Sequence, residues 1–415
     1  MKYAIRIPRL AGVIPWLLLT FLVLLPKGGI KYNDIPITWG YVLLALICVP
    51  LALVRLLRYP LRVSSLTLAA FASFLPFQVI LLYSFWGNGY SNLGASAALL
   101  VCFLFLPALF LGIFPAYLRY IHYERFRRYF CFCILAAALW GIFLFFYHPI
   151  MGHYIEIPYF TVNAGDYGLL ETTKHIARGG YLKLISTYNN GNLYGVATLI
   201  LFPLYLLLEP RKWKRNVVRI ALVLTLSRTV WLGLIMEQVL SLAGKLPSVL
   251  GKFPRVRPGR ALPQLIAVGT TVCLVFTGLI FNGAGFKFLF DSGLGGREGE
   301  LAGFSNPTLL PMVPVDTFSE LLYASALSNY GITGFLAVML LFAMPVLLLA
   351  WKPWLTQSAT RRAAAKGLIL YAIVAGIDGA VLLIPVMAFY CFAYMVLLHG
   401  MPGESKLAPA EPVLT

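Results

Sequence analysis

The chain has 415 residues, of which 60% are hydrophobic and only 12% charged, with a mean hydropathy of +0.83. No water-soluble domain has this balance, so the composition defines a polytopic integral membrane protein. The net charge of +18 would suit a nucleic-acid binder. Its Lys and Arg clusters flank apolar segments, however, where membrane orientation and attraction to anionic lipid explain them. No nucleic-acid partner is therefore expected.

A hydrocarbon core of about 30 Å needs about 20 apolar residues to cross it as a helix. In chain order, candidate spans run over Leu10–Leu25, Ile37–Val54, Val63–Phe85, Leu93–Leu118 and Tyr129–Tyr147, then Leu193–Leu208. Leu262–Phe281, Leu327–Ala350, Gly367–Ile384 and Val386–Leu398 follow, the last two being one tilted helix or two broken at Pro385. Lys2, Arg6 and Arg9 before the first span resemble a signal peptide, but Pro26-Lys27-Gly28-Gly29 offers no small-residue cleavage site, so a retained helix is predicted.

Val217–Ala243 decides the topology. Read as one crossing, it leaves 17 basic residues inside and 15 outside, which is no asymmetry. Read as a hairpin turning at Ser227-Arg228-Thr229, it gives 25 inside and 7 outside, with Arg228 between them. The acids agree: nine of fifteen lie outside, four inside, and Glu237 and Asp378 within spans. The predicted fold is an all-α membrane domain over residues 1–400 with about 11–12 transmembrane helices, a broken hairpin at 217–243 and a disordered tail at 401–415.

Two long loops, about 149–191 and 283–326, fall on the outer side, where long ordered loops usually carry function. The first holds Arg178 and Lys183, the second Arg297, Asp316 and Glu320. All six cysteines sit in apolar segments and the five histidines have no ligand-like spacing, so neither a disulfide framework nor a metal is expected. No cofactor is predicted.

Lys183-Leu-Ile-Ser-Thr-Tyr-Asn-Asn190-Gly191-Asn192-Leu-Tyr-Gly195 resembles the R-x-x-G-x-x-x-N-P-N-x-x-G stretch of the bacterial O-antigen polymerase and O-antigen ligase superfamily. Thr225-Leu226-Ser227-Arg228-Thr229-Val230-Trp231-Leu232 is similar to that family's T-x-S-R-x-x-W-L turn. Glu320-Leu-Leu-Tyr323-Ala, leading to Tyr330-Gly331-Ile332-Thr333-Gly334, resembles H-N-x-x-L followed by the G-I-x-G helix start. Lys183 replaces the family's usual Arg, Gly191 a frequent Pro, and Glu320 the ligase histidine. The last change favours polymerase over ligase.

The resemblance implies a metal-independent, inverting glycosyltransferase of the bacterial inner membrane, acting at the periplasmic face on undecaprenyl-pyrophosphate-linked oligosaccharides, with both donor and acceptor lipid-linked. Such chemistry contributes to O-antigen, lipopolysaccharide or exopolysaccharide synthesis, and a chain-length regulator is a candidate partner beside membrane lipids. A pyrophosphate leaving group gathers charge as the anomeric bond breaks, which Arg or Lys donors stabilise most in the transition state. Arg228 and Arg297 are the first candidates, with Arg178 and Lys183 next. Glu320, or its neighbour Asp316, would take the acceptor proton, and partial burial would tune its carboxyl. Tyr188 is a candidate sugar platform, and Asn190 and Asn192 are candidate glycan contacts or helix caps. The rival from another class is a transporter or flippase of lipid-linked glycans, in which Asp378 would carry protons.

Overall fold

The computed structural model describes residues 7–32, 35–58, 64–170, 177–178, 181–243, 307–316, 318–380 and 384–401. Among these, five apolar helical stretches are long enough to cross a membrane: Ser65–Asn88, Ser96–Leu118, Tyr123–Met151, Gly191–Leu208 and Leu322–Trp351. Shorter apolar helices span Val13–Leu24 and Pro385–His399. The architecture is that of a mostly helical membrane protein. The predicted Leu262–Phe281 span and Arg297 lie outside the described residues, as does the tail from Pro402.

The described helices are α1 (Ile7–Leu18), α2 (Trp39–Arg58), α3 (Ser65–Ala72), α4 (Leu75–Asn88), α5 (Leu93–Leu100), α6 (Tyr123–Met151) and α7 (Gly191–Leu208). They continue with α8 (Lys212–Leu224), α9 (Arg228–Ala243), α10 (Leu322–Trp351), α11 (Ala359–Val374) and α12 (Ile384–His399). Wider turns extend α1 through Leu24 and α5 through Ile113, and a tighter 3-10 stretch carries the latter on to Tyr120. On α4 the residues Leu75, Val79, Leu82 and Trp86 form an exposed stripe at helical spacing. Such an apolar stripe is costly in water and natural against lipid.

Contacts fix the direction of each helix. The Tyr188 hydroxyl donates to the Val23 carbonyl, so the end of the α1 segment meets the start of α7. At the other end Arg127, beginning α6, donates to the Leu208 carbonyl that closes α7. The chain therefore alternates between two ends. One, the basic end, gathers Arg125, Arg127 and Arg128, then Arg211 to Arg215, then Lys352 and Arg362. The other, the loop end, carries the long connections.

Two short hairpins interrupt the predicted all-α character: β1 (Gly29–Tyr32) with β2 (Ile35–Thr38), and β3 (Ala177–Arg178) with β4 (Tyr181–Leu182). The first is pinned under the long loop: Trp39 Nε1 donates to the Tyr159 carbonyl at 2.6 Å, Asn163 Nδ2 to that of Ile30 at 2.7 Å, and Lys31 pairs with Asp166 at 3.3 Å. An ordered lid thus covers part of the loop end.

The predicted hairpin is present, with α8 ending at Leu224 and α9 opening at Arg228. Its arms run in opposite senses along α7. A Cβ on Gly195 would come within 2.1 Å of Val230, and one on Gly233 within 2.4 Å of Leu199, so α9 descends parallel to α7. The Leu224 carbonyl, at the top of α8, instead meets Leu184 just before α7 begins. Glycine permits the close approach of α7 and α9, the usual device where lipid supplies no hydrophobic drive for helix association. Within the α7 window 83% of residues are buried, against 39% for α10, making α7 the central helix.

The last break departs from expectation. Helix α11 stops at Val374, with nine residues between it and α12, and Pro385 stands in the first turn of α12 rather than at a kink. Proline costs little there because its missing N–H would have had no helical partner. The turn falls at Gly376-Ile377-Asp378-Gly379, where the Tyr371 hydroxyl donates to the Gly379 carbonyl at 2.6 Å.

Candidate functional site

Breaking a helix at membrane depth exposes carbonyls that water cannot reach, each costing several kcal/mol if left alone, roughly. The turn between α8 and α9 satisfies its last three. Leu222 O accepts from the Thr225 hydroxyl at 2.7 Å, Val223 O from the Trp231 indole at 2.9 Å, and Leu224 O from the Leu184 amide at 3.0 Å. Leu226, with φ of 51°, makes the left-handed step that reverses the chain. Thr225 and Trp231 of the quoted motif therefore act as backbone partners. Because these three carbonyls are occupied by other groups, Arg228 is not required to cap them.

Arg228 is half-buried in the first turn of α9, at the loop end. Lys183, 8% exposed, comes to the same place from the first long loop. The contact is direct in backbone terms: a Cβ on Gly191 would meet Leu184 O at 2.7 Å, Lys183 Cβ at 3.2 Å and Thr225 O at 3.2 Å. This explains glycine at position 191, where no larger side chain would fit without moving backbone. Two of the sequence-predicted cations thus stand on segments that pack against each other.

The third segment arrives from α10. Glu320 and Asp316 lie just before it, both exposed. The Glu320 carbonyl accepts from Gly379 N at 2.9 Å, and the Asp316 carbonyl from the Tyr330 hydroxyl at 2.7 Å. Leu322 N donates to Ala375 O at 3.3 Å, placing this segment on the break between α11 and α12, again at the loop end. The partial burial expected for the Glu320 carboxyl is not found. Helix α10 kinks at Gly331, whose φ of 67° and ψ of −174° interrupt the helix, matching the predicted restart there. Ile332 N and Thr333 N, freed by the kink, donate to Thr308 O and Leu309 O of the second loop.

Other candidates fare differently. Tyr188 is a correction: at 1% exposure, with its hydroxyl spent on Val23 O, it is core packing rather than a sugar platform. The polar neighbours of Tyr188 in sequence do not reveal that this loop root packs beneath the end of the α1 segment. Asn190 caps α7, its Oδ1 accepting from Asn192 N at 2.8 Å and Leu193 N at 3.2 Å, as the capping alternative expected. The half-buried Asn192 keeps an enclosed Oδ1 with no hydrogen-bond partner among the described residues. Arg178 lies in β3. Asp378 is 4% exposed at the α11–α12 break.

Sequence reasoning missed a second charged cluster, toward the basic end. Arg219 of α8 is 5% exposed, its Nη1 donating to Asn216 Oδ1 at 3.1 Å, and Glu237 of α9 supplies the attractive charge that acts on it. Glu237 accepts from Gln238 Nε2 at 2.9 Å and Ser241 Oγ at 2.8 Å, and Lys366 Nζ of α11 donates to the same Ser241 at 3.2 Å. A signal existed: Arg219 and Glu237 stand nine residues before and after Arg228, so a hairpin brings them level. No group of three or more metal-ligating side chains occurs among the described residues. Comparisons with family models, curated proteins and solved structures find no match.

Proposed function

We propose that the chain is a polysaccharide polymerase, a glycosyltransferase that joins polyprenyl-pyrophosphate-linked oligosaccharide repeats at the periplasmic face of a bacterial inner membrane. The observation that carries this reading is the packing of the Lys183 segment on the sealed turn that presents Arg228, with the exposed acids Asp316 and Glu320 on the α10 approach at the same end of the molecule. By the positive-inside rule the basic end is cytoplasmic, which puts the loop end in the periplasm.

The chemistry follows from these groups. An acceptor-sugar hydroxyl attacks the donor's anomeric carbon from the face opposite the diphosphate. The carbon–oxygen bond to the diphosphate breaks and its electron pair departs on oxygen, so the configuration inverts. Charge growing on that oxygen meets Arg228 and Lys183, held at a depth where weak solvent screening strengthens the interaction. Arginine's planar fork suits a phosphate, while Lys183 acts as a point charge. The acceptor hydroxyl's proton passes to Glu320 or Asp316. Diphosphate leaves without protonation, so no acid is required.

The test is incubation of the purified protein with a defined lipid-linked repeat. A ladder of lengthened products is expected from the unaltered chain and none from Arg228→Ala. A ligase would instead move finished polymer to a lipid A-core acceptor without lengthening it.

A transporter or flippase is the second reading, favoured by one observation: besides the α8–α9 turn, α10 is kinked at Gly331 and α11 breaks beside the buried Asp378. Interrupted helices near a buried acid are a transporter's signature. Proton-dependent movement of a lipid-linked glycan by reconstituted protein, abolished in Asp378→Asn and unaffected in Arg228→Ala, would establish it.

A further inference from the structure

Residues 308–315, the part of the second long loop just before Asp316, have the wrong chemistry for a loop in water. No charged residue occurs between Glu300 and Asp316. Leu309 and Met312 are 65% and 70% exposed, and Leu310 and Val313 are exposed beside them. A contiguous apolar surface of this kind is costly in water and marks a place where something apolar covers it.

The backbone of the stretch is prepared for a place without water. Pro311 and Pro314 have no N–H to satisfy, and six of the eight carbonyls accept hydrogen bonds. On the α10 side, Thr308 O accepts from Ile332 N at 2.8 Å and Leu309 O from Thr333 N at 3.2 Å, while the Thr308 hydroxyl donates to Leu310 O at 2.9 Å. A Cβ on Gly331 would lie 2.8 Å from Thr308 O, so the kink of α10 is the seat of the stretch. On the α4 side, Pro311 O accepts from Asn88 Nδ2 at 2.9 Å, Val313 O from Ser84 Oγ at 3.3 Å and Val315 O from Ser91 N at 3.0 Å. Irregular backbone is tolerated at membrane depth only with such partners.

Depth follows from the helices on either side. The 20 residues of α10 from Ile332 to Trp351 reach about 30 Å, the thickness of a hydrocarbon core. Thr308 and Leu309, bonded to the start of that run, therefore sit at its loop-end boundary. On the other side, α4 ends in the exposed rings of Phe85 and Trp86, with exposed Tyr90 just beyond, a belt of the kind that marks this boundary. The exposed stripe of Leu75, Val79, Leu82 and Trp86 leads up α4 to the same level.

We propose that residues 308–315 form a strap inserted among the acyl chains of the leaflet at the loop end, so that part of the second long loop is embedded in the membrane and covered by lipid. Continuity with the apolar stripe of α4 selects this occupant. Asp316 follows at once and is thereby held near the headgroups. The proposal needs the membrane reading and does not depend on the polymerase reading.

The test puts a nitroxide spin label on the full-length protein in phosphatidylcholine vesicles, at Met312→Cys or at Leu309→Cys, with Cys48→Ser and Cys273→Ser in the background. Collision with oxygen, which concentrates in hydrocarbon, is compared with collision with a water-soluble nickel chelate. Oxygen should exceed the chelate several-fold at both positions, as at Leu82→Cys on the α4 stripe, whereas Asp166→Cys in the first long loop should favour the chelate. Both strap residues are exposed, so a label displaces no packing, and if one variant fails to fold the other decides.

Chelate access equal to that at Asp166→Cys places the strap in water and overturns the proposal. Exclusion of both reagents shows that protein covers these side chains, a second copy of the chain included, and overturns it as well.

Discussion

At the scale of single residues, the turn between α8 and α9 separates structural from chemical roles. Thr225 and Trp231 hold carbonyls, while Arg228 sits between them without being needed for those bonds. Trp231→Phe should therefore destabilise the protein by about 1–3 kcal/mol, the cost of orphaning a buried acceptor. A lowered thermal midpoint, with the specific activity of the folded fraction retained, is the measurement. Arg228→Ala should do the opposite, with the midpoint nearly unchanged and polymer formation down by about 10²–10³, as for loss of one preorganised transition-state donor. If the two variants lose activity and stability in parallel, the division is wrong. Lys183→Arg should keep activity and Lys183→Ala lose it, since a cation is the shared requirement.

At the scale of elements, the hairpin's lower half depends on a charge match across its arms. Arg219 and Glu237 are both buried and attract each other across the hairpin, so removing either charge leaves the other with only neutral hydrogen-bond partners in a medium that solvates ions poorly. Glu237→Gln should cost about 3–5 kcal/mol, seen as reduced yield and early unfolding, and the Arg219→Gln, Glu237→Gln pair should recover part of it. A clean additive loss would show that the two charges do not act on each other. Helix α11 meets α7 through Gly367, where a Cβ would lie 2.0 Å from the Ile200 carbonyl oxygen. Backbone cannot step aside, so Gly367→Ala should separate these helices and lower stability by about 1–3 kcal/mol, read from thermal unfolding in detergent.

The hairpin was legible because charge balance forbids the alternative, and Arg228 because an ionised group at depth needs a reason. The short strands were not legible, since β1 and β2 are four residues each and are held by the 157–166 loop rather than by propensity. The break after Val374 escaped for a similar reason. Pro385 marks a break in the sequence pattern, while the turn is made by Gly376 and Gly379 with a tyrosine hydroxyl from the preceding helix. Of the site, the cations could be found by sign and depth, but Tyr188 could not be placed. Nothing along the chain shows that its loop root is folded under α1.

For the whole molecule, the segregation of basic clusters at one end predicts that this end faces the cytoplasm. Single cysteines introduced at Asp166 and at Arg125 should be labelled by an impermeant thiol reagent from opposite faces of intact membranes. The native Cys102, Cys131, Cys133 and Cys391 are buried and should stay silent, and Cys48 and Cys273 are replaced by serine beforehand. Labelling of both from one side would remove the cation-lined loop end from the periplasm, and the proposed reaction with it.

The hydrogen bond from Leu184 to the Leu224 carbonyl has one more consequence. It moors the root of the first long loop at a place where release would strand a peptide group in oil. The segments that carry Lys183 and Arg228 are thereby held at one spacing.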